Sequence, residues 1–334
     1  MCADDYIVSK VKQPFDAVLV VAFGGPQGPD DIRPFLANVL RGRRVAPERV
    51  DEVAHHYERF GGVSPLTELT MRQADGLRQR LTARGLPLPV YVGMRNWHPY
   101  LLDTFERMAR DGVRRALAFV AAAHRSYSGC LQYRENIADA RARLRSSGLP
   151  DVSVSYVGDW HLHDGFIEAN AQNIRAALRD LPADVREGAE IVFTAHSIPV
   201  SMAERYPYEQ QVRATADAVI RRLAEHRAHA VVFQSRSGRP EDPWLGPDVC
   251  DYLTAAKPRG VPGVVLSPIG FICDHVEVLY DLDVEAAQVC HDVGLPMARA
   301  ASVNDHPRFL DTMTEAVAAA CERYAGRPLE VVKP

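Results

Sequence analysis

"DAVLVVAFGG", residues 16–25, decides the fold class: seven apolar residues run without a break and a pair of glycines ends them. A strand with one wet face alternates apolar and polar side chains. An unbroken run is buried on both faces, as in parallel sheets covered by helices. Other short, β-rich apolar runs recur as "LPVYVGM" (88–94), "RALAFVAAAH" (115–124) and "DVSVSYVGDW" (151–160). They return as "EIVFTAHSIP" (190–199), "AVVFQSRSG" (230–238) and "GVVLSPIGF" (263–271), with a weaker "PMARAAS" (296–302) after them. Helical patterns lie between, such as "LTELTMRQADGLRQRLTARG" (66–85) and "EQQVRATADAVIRRLAEHRAHA" (209–230).

Strands alternating with helices over 334 residues predict an α/β protein of two Rossmann-like, doubly wound domains with parallel sheets and an interdomain cleft. The boundaries expected are 1–160 and 161–304, with a last helix at about 305–325 able to pack back on the first domain. Net charge of −4 and a pI near 6.3 argue against a nucleic-acid binder. The N-terminus has no charged region leading into an apolar one, and no apolar run approaches the ~20 residues of a membrane span. Six cysteines without CxxC or zinc spacing read as reduced thiols, so a cytoplasmic location is expected.

In open α/β sheets, ligands bind beyond the carboxyl ends of the strands. Those ends carry Phe23-Gly24-Gly25, Arg95-Asn96, His124-Arg125-Ser126, His196-Ser197 and Gln234-Ser235-Arg236. The seventh run continues into "PIGFICDHVEVLYDLDVE" (268–285), which turns sharply acidic. On a continuous α-helix, Asp274, Glu277, Asp281 and Glu285 would fall within about 80° of one another, with Asp283 pointing away. No Lys or Arg lies between Arg259 and Arg299, so no neighbour in sequence neutralises them. Such a row is either a solvated face or a place that a cation visits. Like charges at i,i+4 repel by a few tenths of a kcal/mol per pair. Oxygen-rich clusters with an occasional imidazole suit Fe²⁺, Mg²⁺ or Mn²⁺ better than soft metals. Taken alone, these residues imply a cleft with a His and carboxylates for divalent-metal chemistry, and a metal hydrolase stays open.

In order, the fragments resemble the ferrochelatases. The resemblance rests on "AFGGP" (22–26), "YERFGGVSPLTELTMRQADGL" (57–77), "YVGMRNWHP" (91–99), "HRSYSGCLQY" (124–133), "AHSIP" (195–199), "FQSRSG…PWLGPD" and the acidic stretch, over roughly residues 15–320. It implies insertion of Fe²⁺ into a porphyrin held between two Rossmann-like domains, with release of two pyrrole protons. His196 and Glu277 match the family's active-site His and Glu, as iron ligands, proton acceptors or both. Imidazole is the side chain suited to taking a proton near neutrality. Asp274 and His275 are expected to orient that pair, and Asp281 and Glu285 to hold a second divalent cation such as Mg²⁺.

By resemblance, Ser64 and Tyr133 match substrate-contacting positions, with Phe23, His56 and Tyr57 beside them. Phe23 stands where some Gram-positive relatives have a metal-contacting Tyr. Leu40 and His56 stand where certain relatives carry Arg, so Arg41, Arg43 or Arg125 is expected to meet porphyrin carboxylates. Some actinobacterial relatives bind a 2Fe–2S cluster through a mid-chain Cys and three near the C-terminus. Here Cys130 matches the first, and Cys321 stands alone near the C-terminus, so a cluster is not favoured. The polar segment 40–60 favours coproporphyrin III over protoporphyrin IX and an actinobacterial type of enzyme. Transient contact with other haem-pathway enzymes is expected. A cobalt chelatase and a non-catalytic porphyrin- or haem-binding protein are the rival readings.

Overall fold

The computed structural model describes residues 13–42, 45–224, 227–237 and 241–325. Four strands, β1 (Ala17–Ala22), β2 (Val90–Met94), β3 (Arg115–Val120) and β4 (Ser153–Tyr156), form one parallel sheet in the order β2-β1-β3-β4. The other four, β5 (Glu190–His196), β6 (His229–Gln234), β7 (Val264–Ser267) and β8 (Met297–Arg299), repeat the pattern as β6-β5-β7-β8. The α/β class and the two Rossmann-like parallel sheets agree with the sequence reading.

Of these runs, β1, β3, β5 and β7 are the inner strands of their sheets and are buried on both sides, whereas β2, β4, β6 and β8 lie at the edges. Within β1, Val18, Val20 and Ala22 face one core cluster, while Ala17, Leu19 and Val21 face another. In β5, Ile191, Phe193 and Ala195 face one cluster and Val192 faces the second. The weak "PMARAAS" run is the three-residue edge strand β8, whose alternation of half-buried and buried residues explains its fainter signal.

The last helix, Pro307–Tyr324, lies against the Leu66–Ala83 helix and the Asp164–Asp180 helix. Its Phe309, Met313, Val317 and Ala320 complete the core that Val18, Val20, Leu117 and Phe119 begin. Two glycines permit the close approach. A Cβ on Gly76 would lie 2.6 Å from a Leu310 methyl, and one on Gly165 would lie 2.3 Å from the Arg308 carbonyl oxygen. No helix among the described residues is long and apolar enough to cross a membrane.

Candidate active site

His196 is the last residue of β5, paired in register with Gln234 at the end of β6. The buried strand carries the imidazole to the sheet's carboxyl edge, and Tyr208 holds its backbone by donating from Oη to the His196 carbonyl at 2.9 Å. Nδ1 lies 2.5 Å from the Ser197 carbonyl oxygen. A carbonyl oxygen can only accept, so Nδ1 carries the proton and Nε2 presents a lone pair. Nε2 lies on the side of Glu277, with Oε1 at 3.5 Å.

Glu277 sits in the first turn of a short helix, Val276–Tyr280, whose N-cap is His275. His275 Nδ1 accepts from the Val278 amide at 3.4 Å, which spends this side chain on the start of the helix. Burial works to raise the Glu277 carboxyl, but the imidazoles of His196 and His275 outweigh it and hold the group below the ordinary carboxylate range. Glu277 therefore stays ionised beside the His196 imidazole.

The acidic stretch is not one continuous α-helix. After Tyr280 the backbone widens into a π-helical segment, Asp281–Ala286, before α-helix resumes over Ala287–Asp292. Such segments concentrate at functional sites. Asp281 Oδ2 accepts from Gln234 Nε2 at 3.1 Å and from Ser235 Oγ. Ser235 takes a left-handed conformation (φ 61°), an uncommon one for a residue with a Cβ. Burial first, then the charge on Glu277, push the Asp281 carboxyl up to about 7, against the pull of its two donors. Glu285 lies at the surface, and its carboxyl is also raised, by the partial desolvation of its inner side and by Asp248.

The place given to Asp274 in the helical row needs correction. It precedes the N-cap and so lies off the wheel, and its carboxylate is turned away from the acidic row. It accepts from Arg299 Nη1 at 3.0 Å, Asn304 Nδ2 at 2.8 Å and the Ser302 amide at 3.3 Å. Asp283 also binds Arg299, through Nε at 2.6 Å. Cations do reach this stretch, from residues distant in sequence. Arg299 neutralises Asp274 and Asp283, and the field of Arg49 bears on both Glu277 and Glu285. The row that remains is Glu277, Asp281 and Glu285. Among the described residues, no three His, Cys, Asp or Glu side chains converge closely enough to enclose a metal ion. The four expected metal ligands thus form a close pair, His196 with Glu277, and two carboxylates further along.

Across from this row stands the helix Pro47–Arg59. Its His56 ring stacks on Tyr280 with centroids 3.5 Å apart and planes 10° apart. Tyr57 packs edge-on against Phe35, which also meets Phe23 and Trp97. Burial and the Glu277 charge both raise the Tyr57 phenol. Ser64 is 2% exposed and packs on Gly25, where an added Cβ would lie 2.6 Å from the Ser64 Cβ. Tyr133 is 5% exposed beneath Arg95, and its phenol is pushed up to about 12 by burial.

Of the expected carboxylate-binding arginines, Arg41 is exposed and donates to Asn38 at 2.6 Å. Arg125 is tied to Asp159 at 2.7 Å, and Arg43 lies outside the described residues. Arg95 was not among the candidates. It stands at the end of β2 between the Phe23 ring at 5.4 Å and the Tyr133 ring at 5.5 Å, and donates to Gln132 at 2.9 Å. Ser235, Arg49 and Arg299 were missed as well. For Arg95 and Ser235 the signal was their place at strand ends; for the other two there was none in local sequence.

The half-buried Asp281 sets a pH dependence of stability. A carboxyl whose native pKa lies above its unfolded value binds more protons in the native state between the two. Stability therefore falls as pH rises from about 4 to about 7. Metal-free Asp281→Asn protein should then melt above wild type at pH 8, with the gain vanishing toward pH 4. Thermal unfolding across that range checks it, and identical melting temperatures at pH 8 would contradict it.

The ferrochelatase family model matches residues 15–321. The coproporphyrin III ferrochelatase of Streptomyces coelicolor is 46% identical over 318 residues, covering 91% of this chain and 85% of the relative. A ferrochelatase of Rhodopirellula baltica is 46% identical over 303 residues, covering 89% of this chain and 84% of the relative. Among solved structures, SirB from Bacillus subtilis with Fe³⁺ superposes with a TM-score of 0.57 at 11% identity, covering 93% of this chain and 95% of that one. At that identity the likeness speaks for the fold alone.

Proposed function

The chain belongs to the ferrochelatase family, and on that premise we propose that it inserts Fe²⁺ into coproporphyrin III through the pair His196 and Glu277. The observation that carries the assignment of roles is the 3.5 Å approach of His196 Nε2 to Glu277 Oε1 at the carboxyl edge of the second sheet.

Metallation exchanges two pyrrole N–H protons for one Fe²⁺. His196 Nε2 offers the lone pair that takes one pyrrole proton, because Nδ1 is committed to the Ser197 carbonyl. It passes that proton to water through its exposed side and is then free to take the second. The imidazolium so formed is stabilised by the ionised Glu277 beside it. Iron arrives along the carboxylates of Glu285 and Asp281, which are spaced along the helix rather than closed into a cage. Open, weak oxygen sites suit a cation that must shed water and move on. The same outer positions would take a second divalent cation such as Mg²⁺.

Coproporphyrin III carries four propionates. The helix Pro47–Arg59 and the turn before it expose Arg41, Arg49 and Arg59, which suits an anionic rim. The relatives named for that substrate support the choice. Exposed ion pairs contribute about 0.2–1 kcal/mol each, and hydrogen bonds to charged groups about 1.5–3. Two more propionates than protoporphyrin IX offers should therefore raise kcat/KM about tenfold or more. The margin should shrink as salt rises, because rim charges are screened over about 10 Å at 0.1 M. Anaerobic incubation with Fe²⁺ and each porphyrin, followed by absorption, measures it. Equal kcat/KM at low ionic strength would overturn the choice of porphyrin. The reading extends to a cytoplasmic location and transient contact with the enzymes that supply and consume the two porphyrins.

A further inference from the structure

We infer that Arg299 is a positioning residue for iron insertion, a clamp that fixes Glu277 from the opposite side of its helix; the inference rests on the role proposed for Glu277. Arg299 ends β8 and pairs in register with Leu266 of β7, the strand that leads into the acidic stretch. Its guanidinium makes two separate ion pairs, Nη1 to Asp274 at 3.0 Å and Nε to Asp283 at 2.6 Å. Asp274 immediately precedes the N-cap of the Glu277 helix, and Asp283 lies within the π-helical segment that follows it. One planar group therefore grips both ends of the segment that holds Glu277 and Asp281.

The segment needs such a grip. Its α-helical part is five residues long, far too short to be stable by itself, and π-helical backbone is rare in isolation. The anchor at its start is rigid. Arg299 and Asp274 side chains are 16% and 14% exposed, and Asn304 closes a reciprocal pair with Asp274. In that pair the Asn304 side chain donates to the carboxylate at 2.8 Å and accepts from the Asp274 amide at 2.8 Å. On the far side, Glu277 meets His196 at 3.5 Å, a separation that small shifts of the helix would spoil. Misplacement by about 1 Å costs on the order of a hundredfold in rate.

Lysine and arginine differ here in a useful way. A lysine keeps the charge that the buried Asp274 requires, but a single ammonium cannot reproduce the fork that spans both carboxylates. Arg299→Lys should fold, quench and bind coproporphyrin III with an unchanged KM, and lose roughly tenfold in kcat. Asp283→Ala, which removes only the outer arm, should lose a similar factor. The double variant should lose no more than either alone, because both act on one geometry. Combined with Glu277→Gln, Arg299→Lys should lower kcat no further. Wild-type kcat in Arg299→Lys, or losses that multiply in the double variant or with Glu277→Gln, would overturn the clamp. A Glu277→Gln enzyme that turns over normally would instead remove the reading of Glu277 on which it stands.

Discussion

His196→Ala should lower the rate of iron insertion by ~10²–10⁴-fold, the range that a positioned proton acceptor contributes, while leaving porphyrin binding intact. The lone pair at Nε2 is what the variant removes. The side chain is 38% exposed, at the end of a strand whose core contacts are made by other residues, so the fold should survive. Its one side-chain hydrogen bond is to the adjacent Ser197 carbonyl, a local contact. Tyr208, which holds the backbone of this strand end, remains. Single-turnover metallation under anaerobic conditions, with porphyrin affinity by fluorescence quenching, separates the two quantities. Retention of more than half the wild-type rate would refute the assignment of His196. A loss confined to porphyrin affinity would make it a binding residue only.

Glu277→Gln should be almost as damaging, and for a different reason. Gln keeps the size of the side chain and removes the charge that stabilises the imidazolium, so the chemical step should slow by about 10²-fold or more. Asp281→Asn with Glu285→Gln should behave otherwise, weakening the apparent affinity for iron and any stimulation by a second cation while porphyrin affinity stays put. The structure gives a reason to expect this split: Glu277 faces His196, whereas Asp281 is held by Gln234 and Ser235 and Glu285 is exposed. Steady-state kinetics with iron and porphyrin varied separately distinguish the two. Equal losses in kcat across all three changes would erase the division of labour, and an inert double variant would make the outer carboxylates a solvated face.

The fold was legible because central parallel strands leave a coarse mark, a run of apolar residues with nothing polar inside it. β1 carries that mark over all six residues and β5 over Ile191–Phe193 before Thr194 interrupts it, whereas β8 has three residues and sits at an edge. His196 and Glu277 were within reach because each follows such a run at the edge where ligands gather. The acidic row was only partly legible. A helical wheel assumes one period and a helix already begun, and here the N-cap excludes Asp274 while the π-helical turn breaks the period after Tyr280. The search for neutralising charge failed for a related reason. Ion pairing is decided by distance in space, and Arg49 and Arg299 come to the row from another helix and another strand. The surroundings of Ser64 and Tyr133 were illegible too, since burial behind Gly25 and Arg95 depends on loops that sequence periodicity does not describe.

The final helix has a consequence for how the chain comes to be made. Phe309, Met313 and Val317 cover the side of the first sheet on which Val18, Val20 and Phe119 lie. A ribosome adds about 5–20 residues per second. The first four strands therefore wait on the order of ten to thirty seconds after β4 emerges before the helix that seals them exists. During that interval the Leu66–Ala83 helix covers only part of this apolar face, and the remainder is the kind of surface that holdase chaperones recognise and that invites premature association. Synthesis of this enzyme is thus a process in which the core begun by the earliest strands cannot be completed until the last helix has been made.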